Sequence, residues 1–205
     1  MQITERATKV ILAGLAVSAI SGAAYLTYGA HEKNAAITEK PAADPSLGAT
    51  VKLKLTDADG EPFDLVSLKG KPVVVFFGFT QCPDVCPMTM QKLSIMRDRI
   101  GEPFNDLRIL FVTLDPDRDT PEALKNYFSA FTLPVTGLTG SAADIAGAAK
   151  QFDVFYETVR YSETDYAIDH TASLFLVDRG GKRAGEIGFE ADDAELQKKI
   201  ELIVK

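Results

Sequence analysis

The stretch Val73-Val74-Val75-Phe76-Phe77-Gly78-Phe79-Thr80-Gln81-Cys82-Pro83-Asp84-Val85-Cys86-Pro87 decides the fold. Val73 to Phe79 is an unbroken run of β-branched and aromatic residues after Gly70-Lys71-Pro72, as expected of a central strand buried on both faces. Both cysteines of the chain follow at once. Beyond Pro87, Leu93, Met96 and Ile100 recur at helical spacing, which predicts a helix that begins within or just after the cysteine segment and ends near Gly101. The order is strand, cysteines, helix.

The rest of the domain extends this unit. Arg108 to Leu114 reads as a second buried strand. Asp119-Thr120-Pro121-Glu122 then supplies a capping residue, a proline at the first helical position and early negative charge, with Leu124, Tyr127, Phe128 and Phe131 as the helix's apolar face. A further helix starts at Ser141, with Asp144 completing its cap and Ile145, Ala148, Ala149 and Phe152 inward. Ser173 to Val177 and Ala184 to Phe189 flank the turn Arg179-Gly180-Gly181-Lys182 as a hairpin, and a last helix is capped at Asp192. Upstream, Val51 to Leu55 and Phe63 to Leu65 flank an Asp59-Gly60 turn, an N-terminal hairpin read as decoration ahead of the core. The layout is α/β, a thioredoxin-like mixed sheet flanked by helices, with an insertion at about 132–172.

Chain-wide properties set the compartment. The 205 residues are 46% hydrophobic and 25% charged, which suits a single domain, and the net charge of −7 argues against nucleic acid as a partner. Val10 to Tyr28 runs without a charge and, as a helix, nearly spans a hydrocarbon core of about 30 Å. Arg6 and Lys9 precede it, so the positive-inside rule makes residues 1–9 cytoplasmic and 10–28 a transmembrane anchor. Small residues around Ser21 to Ala24 leave a cleaved signal peptide as the competing reading, and either way the folded part is exported. Residues 29–47 read as a flexible tether and 48–205 as the domain. The expected location is the bacterial inner membrane, single-pass, with the C-terminal domain in the periplasm.

Cysteine and histidine are scarce, so their placement is informative. Residues four apart on a turn or helix lie about 5–6 Å apart, so Cys82 and Cys86 can share a metal or, if oxidised, form a redox-active disulfide. A purely stabilising disulfide is the plainer alternative, yet closing so short a loop removes only about 2 kcal/mol of unfolded-state entropy. Thiolates are soft ligands that select Cu(I) and Zn(II), and two of them leave a site short of donors. Of the two histidines, His31 sits in the tether, whereas His170 immediately precedes the strand Ser173 to Val177. In a thioredoxin-like sheet that entrance lies beside the cysteine turn, so Cys82, Cys86 and His170 form the candidate set, suited to one Cu(I) or Cu(II) per chain. Met88 and Met90 read as core filling. Asp84, Asp115, Asp117, Asp119 and Asp169 put negative charge near the site. Solvated loops or caps account for most of it, with Asp84, Asp115 and Asp169 the candidates for supporting the ligands or a bound cation.

Three motifs in order, Phe77 to Pro87, Thr113-Leu114-Asp115-Pro116-Asp117-Arg118-Asp119-Thr120-Pro121 and Asp169-His170-Thr171, closely resemble the Sco/SenC family over residues 48–205. The resemblance implies a thioredoxin-like fold, copper held at Cys82, Cys86 and His170, and delivery to the binuclear copper site of cytochrome c oxidase. It also implies a single N-terminal membrane anchor. The partners expected are the copper-receiving subunit of the oxidase, an upstream copper donor and a thiol reductant. A copper chaperone of this kind is not an enzyme. Two rivals use the same cysteines: a thiol-disulfide reductase acting on the copper-ligand cysteines of the oxidase, and a redox or copper sensor. The spacing CxxxC rather than CxxC, the absence of tryptophan and Thr171 where thioredoxins place a proline weaken general disulfide exchange.

Overall fold

The computed structural model describes residues 46–163 and 165–205. The anchor segment 10–28, nearly all of the tether and His31 lie outside the described residues. Among the described residues, no helix is long and apolar enough to cross a membrane.

Among the described residues, nine strands and four α-helices follow one another: β1 (Lys54–Asp57), β2 (Pro62–Asp64), β3 (Val73–Gly78), α1 (Val85–Ile100), β4 (Arg108–Thr113), α2 (Pro121–Phe128), β5 (Val135–Thr139), α3 (Ala142–Gln151), β6 (Tyr156–Arg160), β7 (Tyr166–His170), β8 (Ser173–Val177), β9 (Arg183–Gly188) and α4 (Asp193–Val204). Seven strands make one mixed sheet in the order β2-β1-β5-β4-β3-β8-β9, and β6 and β7 form a separate two-stranded ribbon. β3 lies parallel to β4 and antiparallel to β8, so the strand that leads into the cysteines is enclosed on both edges.

It is enclosed on both faces as well. Val73, Val75 and Phe77 point to one side, with Leu110, Val112, Phe175 and the α3 residues Ile145 and Ala149. Val74 and Phe76 point to the other, against Met90, Leu93 and Met96 of α1, Leu124 of α2 and Ile200 of α4. Alternation of side chains across the strand makes this division unavoidable, and only an unbroken apolar run satisfies both layers. Burying Phe76 and Phe77, at 1% and 0% exposure, contributes on the order of 2–3 kcal/mol each. A rigid strand end is the result.

Local signals set most of the boundaries. Thr120 caps α2 by accepting from Ala123 N at 3.2 Å, with Pro121 in the first turn. Ser141 and Asp144 form a reciprocal capping box on α3, and Asp192 accepts from Glu195 N at 2.8 Å to start α4. Phe131 lies past the end of α2, which stops at Phe128, but still packs on Tyr127 at 5.3 Å between ring centroids.

Two expectations change. The N-terminal hairpin is part of the sheet: β1 pairs antiparallel with β5 through Thr56–Thr139 and Asp57–Leu138, and Leu53 and Leu55 are buried in the core. Its turn is closed by Asp57, whose carboxylate accepts from the amides of Asp59 and Glu61, both at 2.9 Å. The segment 132–172 is likewise more than an insertion, because it supplies β5, which lies parallel to β4 inside the main sheet. Only the ribbon β6–β7 stands apart from that sheet.

Candidate metal centre

The cysteine turn is built at the C-terminal end of β3, where open α/β sheets present their chemistry. The amide of Cys82 donates to Phe79 O at 3.2 Å, which turns the chain before α1 begins. Asp84 stands at the N-cap position without a side-chain cap bond. The group that takes up the exposed amide is a sulfur: Cys86 N donates to Cys82 Sγ at 3.4 Å. Cys86 itself lies in the first turn of α1 and is wholly buried, whereas Cys82 is half-buried; both are free thiols.

Gly78 makes room for this arrangement. A Cβ at Gly78 would lie 2.7 Å from Cys86 Sγ and 2.9 Å from the Phe111 ring. The last residue of β3 therefore has no side chain because the buried sulfur occupies that space.

The two thiols are driven apart in acidity. The Cys86 thiol donates to the Cys82 sulfur and, against the cost of burial, holds the Cys82 pKa down to about 4, with further help from His170 and the amides of Cys86 and Asp84. The same contact, burial and the charge on Cys82 push Cys86 well up. A reactive, half-exposed sulfur is thus paired with a protonated, hidden one.

His170 ends β7 and comes to Cys82 from the ribbon, while its ring stands edge-on to Phe76 and Phe79, with centroids 6.3 and 6.1 Å away. Nδ1 lies 3.0 Å from Thr171 O. A carbonyl only accepts, so Nδ1 carries a proton and Nε2 is the ring nitrogen left to face Cys82 or a metal. A backbone carbonyl thus performs the orienting role expected of an aspartate.

The loop Leu114–Asp119 ties the cysteine turn to the histidine strand. Asp119 is completely buried and accepts from Thr80 N at 2.9 Å, Thr80 Oγ1 at 2.6 Å and Thr113 Oγ1 at 2.6 Å. Burial raises its pKa against those hydrogen bonds. Arg118 pairs through Nε with the buried Asp115, and its Nη1 donates to Gln81 Oε1 at 3.0 Å and Tyr166 O at 3.1 Å. Its guanidinium lies 3.6 Å above the Tyr166 ring, whose hydroxyl donates to Asp115 at 2.8 Å. One arginine therefore joins the residue before Cys82 to the first residue of the strand that ends in His170.

The predicted residues divide accordingly. Cys82 neighbours both Cys86 and His170. Asp115 is engaged by Arg118 and Tyr166; Asp84 is exposed, its amide rather than its carboxylate acting on Cys82; Asp169 is exposed and faces Glu157 across the ribbon. Asp119, grouped with solvated or capping charges in the sequence, is a buried hydrogen-bond acceptor, and Thr120 does the capping. Met90 is core and Met88 is 46% exposed. Gly78, Thr80, Arg118 and Tyr166 were not singled out individually, although three of them fall within the motifs. Among the described residues, no three His, Cys, Asp or Glu side chains already converge as a metal cluster. Cys82 is the neighbour that the other two share.

A central strand running into a cysteine turn and helix, flanked by β8 and β9 and overlaid by helices on both faces, defines a thioredoxin-like protein with a thiol site at the usual end of the sheet. The SCO1/SenC family model matches residues 45–205, and the chain belongs to that family. It is 32% identical over 195 residues to the mitochondrial protein SCO2 of Saccharomyces cerevisiae, covering 92% of this chain and 64% of that one. The match thus spans less than two thirds of that relative's length. The structure of Bradyrhizobium japonicum ScoI with copper bound superposes with a TM-score of 0.68 at 34% identity, covering 75% of this chain and 98% of that one. BsSco, described as having a disulfide switch and as a member of the Sco family of cytochrome c oxidase assembly proteins, gives a TM-score of 0.62 at 25% identity over 78% of this chain and 96% of its own.

Proposed function

We propose that the chain carries one Cu(I) or Cu(II), held by Cys82, Cys86 and His170, and hands it to the binuclear copper site of cytochrome c oxidase. The observation that carries the reading is Cys82, which contacts both the other thiol and the imidazole at the exposed end of β3. Two soft thiolates and an imidazole whose Nδ1 is tied to Thr171 O match copper's preferences, and the half-exposed Cys82 leaves an open side for ligand exchange. Copper-bound structures of relatives support the same cargo.

Each donor has its task in this reading. Cys82, already inclined to give up its proton, captures the ion; Cys86 releases its proton on binding; His170 completes the set from the ribbon. Transfer proceeds by exchange of these ligands for those of the acceptor, so no substrate is chemically converted. The pair must arrive reduced, which calls for a thiol reductant as well as a copper donor. We place the domain in the periplasm on an anchor formed by residues 10–28, with the Asp115–Arg118–Tyr166 group as support for the site.

The acidity split also favours a second reading, thiol-disulfide exchange on the oxidase's copper-ligand cysteines, with Cys82 attacking and Cys86 resolving. Anaerobic titration of the reduced domain with Cu(I) and Cu(II), in wild type and His170→Ala, separates the two. The copper reading expects one ion per chain and a large loss of affinity in His170→Ala. Equal affinity in both proteins, or no competitive binding, would replace it with the exchange reading.

A further inference from the structure

The end of the sheet opposite the cysteines has a different character. β3, β4 and β5 run parallel and start there, and β8, antiparallel to β3, ends there before turning into β9. Backbone bonds tie these loops together: Gly70 N donates to Arg179 O and Arg108 N to Pro72 O, each at 2.9 Å. Residues 46–51 join the same end, with Gly48 N on Arg183 O at 2.7 Å and Val51 N on Gly181 O at 2.9 Å.

Cations gather here although the chain has a net charge of −7. Lys69 and Lys182 are exposed and form no ion pair among the described residues. Lys71 and Arg179 share Asp106, which leaves one positive charge over from the three. Arg97 and Arg108 line a groove of about 270 Å³ that no carboxylate lines, with Phe104, Leu107 and Val135 as apolar wall. Both guanidiniums are held by carbonyls, Arg97 Nη1 on Thr132 O at 3.1 Å and Arg108 Nη1 on Asn105 O at 3.0 Å. The other acids of this end are Asp178, whose carboxylate accepts from the amides of Gly180 and Lys182, Asp98, which pairs with Arg97 Nε, and the exposed Glu102. A second groove, of about 200 Å³, opens beside Lys69 between Leu65, Leu68 and Val177, and Val66 at its edge is 71% exposed. The cysteine end is the reverse, with Asp84, Asp117 and Asp169 exposed.

We propose that this basic end is a docking face for a bilayer surface that carries anionic phospholipid, with Lys69, Lys182 and the Arg97–Arg108 groove meeting headgroup phosphates and Val66 entering the interface. The inference rests on the reading of residues 10–28 as a membrane anchor. Guanidinium forks and lysine point charges both suit phosphate oxygens, and cations set around an exposed aliphatic side chain are the pattern of a surface that lies on a membrane. A few cations bind such a surface weakly, but a chain already tied to the bilayer meets it at high local concentration. Opposite charge at the two ends then sets the orientation: the basic end faces the lipid, and the copper end, with its exposed acids, is turned away from the bilayer and open to an acceptor.

Residues 45–205 hold every core residue described and form a compact unit by themselves, so the domain can be tested without the N-terminal segment. The assay is co-sedimentation with vesicles of phosphatidylcholine alone or of phosphatidylcholine with an equal part of phosphatidylglycerol. Binding is expected only to the anionic vesicles, and it should fall at least about tenfold in Lys69→Glu/Lys182→Glu or at high salt. Val66→Asp should weaken it several-fold. Arg160→Glu/Lys198→Glu, which makes the same change in net charge at exposed positions on β6 and α4, should keep most of the binding. Equal binding to neutral vesicles, no binding to anionic ones, or equal losses in the two double variants would overturn the proposal. So would a dimer, seen by sedimentation without vesicles, that Lys69→Glu/Lys182→Glu dissolves, because the face would then belong to a second copy. Resistance of the full chain to alkaline extraction from membranes tests the anchor separately, and copper titration of the same variants should match wild type, so failure of the lipid contact is distinguishable from failure of either reading it accompanies.

Discussion

Replacing Asp119 by alanine should unfold the cysteine turn from within. The substitution removes the acceptor for Thr80 N, Thr80 Oγ1 and Thr113 Oγ1, all within 2.9 Å of the carboxylate. The amide of Thr80 is fixed by the backbone, and losing its partner costs about 1–2 kcal/mol. The two hydroxyls can rotate to other acceptors, and Thr113 Oγ1 still accepts from Asp115 N, so they add about 1 kcal/mol together. The vacated volume adds about 1 kcal/mol, and relief of the buried charge returns about the same. The net is about 2–3 kcal/mol, or roughly 30- to 150-fold in the folding equilibrium. Urea unfolding followed by circular dichroism measures it, a suitable choice because the chain has no tryptophan. Asp119→Asn should recover more than half of the loss, since its amide still accepts from Thr80. A sign also follows from the raised pKa of Asp119. The folded state then holds the proton where the unfolded state has released it. Stability therefore declines as pH rises from the unfolded carboxyl value of about 4 to the raised folded value, and Asp119→Asn lacks that decline. A loss in Asp119→Ala below about 0.5 kcal/mol, the range of ordinary surface changes, would refute the reasoning.

Two shorter predictions concern the sulfurs. Gly78→Ala places a methyl 2.7 Å from Cys86 Sγ, so it should cost about 1–3 kcal/mol by overpacking, read as a lowered urea midpoint; an unchanged midpoint would show that the strand end can shift aside. In the reduced protein, alkylation of Cys82 should titrate near pH 4 while Cys86 stays unreactive to alkaline pH. Because Cys82 is lowered on folding, its thiolate contribution to stability is complete above the unfolded thiol's pKa and is lost as pH falls through about 4, so the stability advantage of wild type over Cys82→Ser should shrink on acidification. A Cys82 that alkylates with a midpoint near 8 would contradict the geometry of the turn.

How far the sequence could be read depends on how each element is stabilised. β3 and β4 are buried on both faces, and their unbroken apolar runs leave no second interpretation. α3 and α4 carry capping residues that act within a few positions along the chain. β5, Val135–Thr139, has glycine at its centre, and that glycine fits because the side chains of Phe128 and Leu124 fill the space a Cβ would take, a reason that exists only in three dimensions. The ribbon β6–β7 mixes exposed polar and apolar residues, since only one of its sides meets the core. Cys82, Cys86 and His170 stood out through rarity, and a thioredoxin-like sheet brings the strand entrance to the strand end. Asp119 was misplaced because an aspartate two residues ahead of a helix looks like surface charge, and only the approach of Thr80 and Thr113 from other elements shows otherwise. Gly78 gave its one signal, a small residue at the end of a bulky run, without saying what needed the room.

The separation of the ribbon from the main sheet has a mechanical meaning. The sulfurs follow the end of β3, which is buried along its whole length, one in the turn and one in the first turn of α1, whereas the imidazole ends a ribbon that shares no ladder with β3 and is linked to the cysteine turn through Arg118. The two kinds of donor are thus carried by different sheets. On the proposed copper reading, a ligand set divided between two sheets would be taken apart one bond at a time, the imidazole and the sulfurs leaving in separate steps.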